Sequence, residues 1–331
     1  MQPKQIIFYI VKKLIRLITL LGAISLLSFI LISNSPIDPV RSYIGADMML
    51  VSPEQRQQIA EYWGLNESKT SQFFHWVKAV SQGDLGTSLL YRVPVTDVIA
   101  ERFLASLALM AVAWGLSGLF GFILGSIAGM KQGSWLDRFI KGYCFILAST
   151  PTFWLGLVAL MAFSVWLGWF PIGLGSPAGM LAEDVTLFDR LKHLVLPALT
   201  LSIVGVANVA LHTRQKLVEV LNSDYVRFAK AKGEKGFSLY WRHGLRNISL
   251  PAISLQFASF GELFGGAVLA EQVFSYPGLG QAIVQAGLEG DVPLLLGIVL
   301  FSALFVFIGN LLADVFYRII DPRIRAEGNY E

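Results

Sequence analysis

The chain is organised by long apolar blocks rather than by short alternating runs. Six windows, at about 10–33, 103–129, 139–169, 194–213, 250–272 and 293–317, carry little charge. Several reach the roughly 20 residues a helix needs to cross a bilayer core. A lipid-embedded backbone must bond to itself, so blocks of this length predict transmembrane α-helices. The expected fold is all-α integral membrane, with six transmembrane helices. The third block is the longest, and Pro151 in "ASTPTFWLG" predicts a kink there, because proline removes a donor and crowds the preceding turn. Splitting it into two spans would move the basic stretch 214–246 to the other side, so one kinked span is preferred.

The polar segments between blocks are unequal. Residues 34–102 form a long loop after helix 1, with two helical pieces of their own. In "SPEQRQQIAEYWG", Ser52 can cap, Pro53 takes the first helical position and Gly64 ends the helix. "SQFFHWVKAVSQ" is the second piece, and "GDLGTSLLYRVPVTDVIAERF" is turn-rich and then helical into the second span. The expected organisation is an N-terminal tail and first helix at 1–33, a loop subdomain at 34–102, a five-helix core at 103–317 and a tail at 318–331. Within the core, 214–249 reads as a cytoplasmic loop.

Charge orients this arrangement. Arg41, Arg56, Lys69, Lys78, Arg92, Arg102, Arg190 and Lys192 fall on one side, and the other 18 of the 26 Lys and Arg fall on the side of the N-terminus. Cytoplasmic segments carry the excess of Lys and Arg, so both termini and the 214–249 loop are expected in the cytoplasm. Lys4, Lys12, Lys13 and Arg16 precede the first apolar run, but "SNSPIDP" follows it in place of a small-residue cleavage pattern. The run therefore reads as a retained span.

Composition agrees. The chain is 54% hydrophobic and 15% charged, against about 25% charged in soluble domains. A net charge of +3 implies no nucleic-acid partner. Cys144 is the single cysteine, so no intramolecular disulfide and no cysteine metal site are expected. No GxxxxGK[ST] phosphate loop is present, "GLGSPAG" at 173–179 reads as a turn, and the four histidines lack metal-ligand spacing. No catalytic residue, metal or cofactor is assigned. A secondary carrier would show an inverted repeat with broken helices, and an intramembrane enzyme a nucleophile and base in its spans. Neither is evident.

Small residues four apart, Gly121, Gly125 and Gly129 in one span and Gly261 and Gly265 in another, predict close helix contacts, within the chain or with a partner. Among ionisable groups in spans, Glu262 lies deepest and is the candidate for the translocation pathway, or else a hydrogen-bonded contact beside Gly261. Glu271 and Asp314 read as interfacial.

The stretch "DYVRFAKAKGEKGFSLYWRHGLRNISLP", residues 224–251, carries the remaining signal. A short helix is stopped by Gly233, which can take the positive φ of a C-cap. Phe237, Tyr240, Trp241, Gly244, Leu245 and Ile248 then follow at helical spacing and predict one apolar face. Such a face lies on a membrane or in a partner's groove, and the helix–Gly–helix hairpin favours the groove. This stretch resembles the EAA loop of ABC-importer permeases. Arg227, Phe228 and Ala229 stand at the EAA positions, followed by Gly233 and by Ile248 to Pro251. The leading Glu and first Ala are not kept, and the longer Gly-to-Pro distance is similar to the peptide/nickel branch. "GDLGTS", "RVPVTDVIAERF", "STPTFWLG", "LPALTLS", "AEQVFSYPGLGQAI" and "DPRIR" resemble that branch in the same order.

The resemblance implies a permease subunit of an ATP-driven importer in the bacterial cytoplasmic (inner) membrane. Its implied partners are a second homologous permease, two cytoplasmic ATPase subunits and an extracytoplasmic solute-binding protein. ATP and Mg would act on the ATPases, and this chain would bind no cofactor. The coupling residues implied are Arg227, Phe228, Ala229, Gly233, Phe237, Tyr240, Trp241, Arg242 and Arg246. Nickel or metal chelate and di- or oligopeptide both remain open as cargo.

Overall fold

The computed structural model describes residues 3–34, 52–62, 66–181 and 183–320. Among them the chain is nearly all helical, with one isolated bridge between Thr87 and Pro94. Gly64 and the "DPRIR" segment lie outside the described residues. The helices are α1 Pro3–Ser33, α2 Pro53–Tyr62, α3 Lys69–Ser81, α4 Val95–Met130, α5 Trp135–Ser149, α6 Thr152–Trp166, α7 Leu187–Leu221, α8 Asp224–Ala231, α9 Phe237–Ala258, α10 Phe260–Val273, α11 Leu279–Glu289 and α12 Val292–Ile320. Four of these, α1, α4, α7 and α12, are long and apolar enough to cross a membrane, and up to six spans result if each bent pair is one span. The bent pairs are α5 with α6 and α9 with α10.

Pro151 does interrupt the third block, but the two arms meet at 105°. Thr150 and Pro151 both have extended backbones, with ψ of 131° and 133°. A residue preceding proline is pushed out of the helical region, so two residues leave the helix together, and this is sharper than a kink. Other ends also differ from the apolar blocks. α4 begins eight residues before the expected 103, and α7 starts at a capping box in which Thr186 and Asp189 bond reciprocally. The helix expected at Phe237–Ile248 and the start of the fifth block form one continuous helix. α9 runs from Phe237 through Pro251 to Ala258, and a 53° bend at Ser259 separates it from α10.

The chain divides into two compact units, Met1–Leu104 with Gly278–Phe307, and Ala105–Pro277 with Ile308–Glu331. In the first, Ser52 caps α2 as expected, bonding reciprocally with Gln55. Lys69 donates to Ser33 O at 2.6 Å and to Asn34 Oδ1 at 3.0 Å, placing a cation at the carboxyl end of α1. Val95, Val98, Ile99, Leu279, Ala282, Ala286, Leu294 and Ile298 form its core. Asp291 is buried beside it and accepts from the Ser88 hydroxyl at 2.5 Å and the Leu90 and Leu294 amides at 3.0 and 3.1 Å. Buried carboxylates need such donors.

In the second unit, α4, α5 and α7 enclose Ala128, Ile140, Cys144, Leu147, Ala207 and Ala210. A Cβ on Gly125 would lie 2.5 Å from Ala210 O, and one on Gly129 would lie 2.8 Å from the Leu217 side chain. These glycines let the backbones of α4 and α7 approach closely. Asp137, fully buried near the start of α5, accepts from Arg214 Nε at 2.5 Å and Nη2 at 2.8 Å, and from Gly133 N–H at 2.9 Å.

Candidate coupling surface and pathway residues

The hairpin of α8 and α9 is built from its turn outward. Glu234 N–H bonds Ala229 O at 3.2 Å and Gly233 N–H bonds Lys230 O at 3.0 Å. This paired closure needs a left-handed residue, and Gly233 has φ +95°. Gly236 then opens α9 at φ +59° and ψ −129°, a region that a side chain disfavours. The Glu234 carboxylate bonds back onto α9, 3.4 Å from Arg242 Nη1 and 3.2 Å from His243 Nε2. Val226, Ala229 and Leu239 form a small core with Val220 and Leu221 beneath it.

The apolar stripe of α9 does not act as one face. Tyr240–Gly244 is a π-helical turn, and its wider winding brings Tyr240, Gly244 and Ile248 to the same inward side. Tyr240 packs with Leu217 and Ile248, and its hydroxyl donates to Ser126 Oγ at 3.1 Å. A Cβ on Gly244 would lie 2.9 Å from Leu217. Phe237 and Trp241 instead remain 65% and 62% exposed, with ring centroids 6.1 Å apart. With Ser238 and Arg242 they line a shallow cavity of about 390 Å³. The nearby α8 presents Phe228, also exposed, with Lys232 Nζ 4.5 Å from its ring centre.

The nine coupling candidates therefore separate. Phe228, Phe237, Trp241, Arg227, Arg242 and Arg246 are exposed, and Gly233 forms the turn, whereas Ala229 and Tyr240 anchor the hairpin from inside. The single apolar face expected from spacing is corrected in this respect, because an ideal helical period does not anticipate a π turn. Glu234 and Gly236 were not singled out from the sequence. An acid and a second glycine within a basic loop were the available signals. Asp137 and Arg214 were also missed, although "SWLD" has the spacing of a capping box, and Asp137 N–H does donate to Ser134 Oγ at 3.3 Å.

Glu262 sits in the first turn of α10, just past the break at Ser259, and is exposed. It makes no hydrogen bond to a described residue, so the helix-contact alternative is not what holds it. Glu271, by contrast, is buried and accepts from the Ser106 hydroxyl at 2.6 Å. Asp314 is exposed.

These elements define a multi-pass helical membrane protein in which the break at Pro151, the hairpin of α8 and α9 and the bend at Ser259 follow one another along the chain. Residues 121–326 match the family described as binding-protein-dependent transport system inner membrane component, and residues 6–110 match the N-terminal region of membrane components of such systems. The oligopeptide transport system permease protein AppB of Bacillus subtilis is 36% identical over 96% of this chain and 98% of its own length. The glutathione transport system permease protein GsiC of Escherichia coli K12 is 36% identical over the same shares. A solved structure of the MetNI methionine ABC transporter, inward facing, superposes with a TM-score of 0.52 over 68% of this chain and 97% of that chain, at 16% identity, and supports the fold alone. The chain belongs to the binding-protein-dependent transport system inner membrane components. It is an ABC-importer permease subunit of the peptide/nickel type.

Proposed function

We propose that this chain is one of two membrane-spanning subunits of an importer that carries di- or oligopeptides, or small peptides such as glutathione. The cargo rests on what the relatives AppB and GsiC are named for. Neither name speaks of nickel, and the metal-chelate alternative has no comparable support. A second permease, two cytoplasmic ATPases holding ATP and Mg, and an extracytoplasmic binding protein complete the machine. Both termini lie in the cytoplasm on the reading from basic residues.

The exposed aromatic and basic patch of Phe228, Phe237, Trp241 and Arg242 is the observation that carries this reading. Large aromatics and arginine are the side chains that anchor protein interfaces, and this patch sits on a hairpin whose inner face is already packed. Closure of the ATPases would displace the patch, with Gly233 and Gly236 as the flexible turn. α9 continues for about four turns beyond it, so the displacement reaches the break at Ser259 and re-aims α10. Glu262 follows that break. A carboxylate facing lipid costs about 2.5–3.5 kcal/mol on insertion scales, so Glu262 faces an aqueous pathway or the second subunit.

The test is Trp241→Ala in the complete importer. We expect normal membrane insertion, about a tenfold or greater loss of ATPase-subunit association in pull-down, and loss of transport. Unchanged association and transport would overturn the coupling role. Gly233→Val, which forces a β-branched residue to φ +95°, should uncouple ATP hydrolysis from transport.

A further inference from the structure

The segment between α6 and α7 is pinned rather than free. Leu174 N–H donates to Phe274 O at 3.0 Å, and the Ser164 hydroxyl donates to Pro171 O at 3.1 Å. Gly173 has φ +117°, a Cβ there would collide with the Phe274 carbonyl oxygen, and a Cβ on Gly175 would meet the Pro277 ring at 2.6 Å. Between this loop and the first turns of α7 lies a cavity of about 490 Å³. Small-molecule sites run at about 300–1,000 Å³. The loop side is apolar, with Phe170, Pro171, Ile172 and Leu174, and the helix side brings Asp189, Lys192 and His193.

The polar side is chemically specific. His193 is only 8% exposed, and its Nδ1 lies 2.8 Å from Asp189 O. A carbonyl only accepts, so Nδ1 carries the hydrogen and Nε2 of the neutral ring keeps its lone pair. Nε2 bonds to no described residue, although the ring lines the cavity. Lys192 is exposed and makes no ion pair with a described residue. Asp189 is fixed by the capping box, where Oδ2 accepts from Thr186 N–H at 3.1 Å. One fixed carboxylate and one ammonium balance each other on the wall, and the imidazole lines it with them.

We propose that this cavity binds a short zwitterionic peptide. Lys192 takes its carboxylate, Asp189 its ammonium, His193 Nε2 accepts an amide N–H, and the loop holds an apolar side chain. Asp189 and Lys192 are three residues apart, close to one helical turn of about 5.4 Å. The termini of a dipeptide are separated by about 6–7 Å. A wall that offers one carboxylate and one ammonium favours a zwitterion over an anion. This site rests on the reading that the importer carries peptides.

The experiment titrates alanyl-phenylalanine into the purified importer, without its binding protein, in zwitterionic-lipid nanodiscs, read by calorimetry. Lys192→Met should weaken binding about tenfold, the loss of one charge-assisted bond, and Lys192→Arg should restore it to within about threefold. The C-terminal amide of the peptide should bind the unaltered protein as weakly as the acid binds Lys192→Met, and His193→Phe should lower affinity too. Equal binding of acid and amide, or unchanged binding in Lys192→Met, would overturn the site. So would a signal that anionic phospholipid abolishes by competition, which would make the cavity a lipid site. Lys192 is exposed, so matched melting curves confirm intact folding. Uptake of the same peptide and of a mixed di- to pentapeptide pool by the complete importer separates the two failures. Uptake without Lys192-dependent binding overturns the cavity alone, and absence of all peptide uptake overturns the cargo reading.

Discussion

Gly121, Gly125 and Gly129 on α4 and Gly261 and Gly265 on α10 repeat one spacing, yet the structure uses them differently. The first three are filled by α7, with Val209, Ala210 and Leu217 where each Cβ would stand. Gly265 has no atom within 4 Å of such a position. It lies on an exposed line of α10 with Glu262 and Leu269, while Ala267, Ala270 and Glu271 face inward. Small residues at this spacing permit close backbone approach, but they do not name the partner. On α4 the partner is this chain. On α10 the open line is available to a second subunit or to water.

The sharpest way to test this contrast is Gly125→Leu. Its Cβ would approach backbone, which cannot move aside as a flexible side chain can. We expect a loss of about 3 kcal/mol or more, at the upper end of overpacking effects, seen as poor insertion and a lower melting temperature in detergent. Survival of normal stability would mean that α4 and α7 are not in this close contact.

Asp137→Asn should act on the same packed region less severely. It leaves Arg214 with a neutral partner. Breaking a fully buried pair costs about 3–5 kcal/mol, but the Arg214 side chain keeps 18% exposure, so about 2 kcal/mol is expected. Arg214→Met in the Asp137→Asn background should recover part of the loss. A double variant that melts lower than Asp137→Asn alone would show that the guanidinium matters for packing rather than for charge.

The sequence revealed these regions unevenly, for physical reasons. Apolar blocks locate spans because lipid demands them, and Pro151 marks a break because it and Thr150 take extended backbone, whereas Pro197 and Pro251 are accommodated inside α7 and α9. The end of the fourth block was less visible, since α7 continues into polar segments on the strength of caps and packing. Leu221 is helical although it lies outside the expected block, whereas the approach to the second span already read as helical, and α4 begins there at Val95. In the hairpin, Gly233 announced its own turn. The π turn at Tyr240–Gly244 did not, and there Tyr240 meets Ser126 and Leu217, long-range contacts that spacing alone does not encode. The 173–179 loop read as a turn, and only folding set its cavity against Lys192 and His193.

Gly265→Leu is the gentlest change and bears most directly on the open line of α10. No described residue lies within 4 Å of an added Cβ there, and leucine is a better helix former than glycine, by somewhat less than the about 0.8–1 kcal/mol that separates glycine from alanine. The isolated chain should therefore melt no lower than the unaltered protein. If the line meets a second permease subunit, the added side chain should reduce co-purification of that subunit by several-fold, and Gly265→Ala should do so less. If the line faces an aqueous pathway instead, assembly should stay intact while transport falls, and Glu262→Gln should lower transport without touching assembly. Normal assembly and normal transport in both Gly265→Leu and Glu262→Gln would leave α10 with neither role, and the open face would then belong to lipid despite its carboxylate.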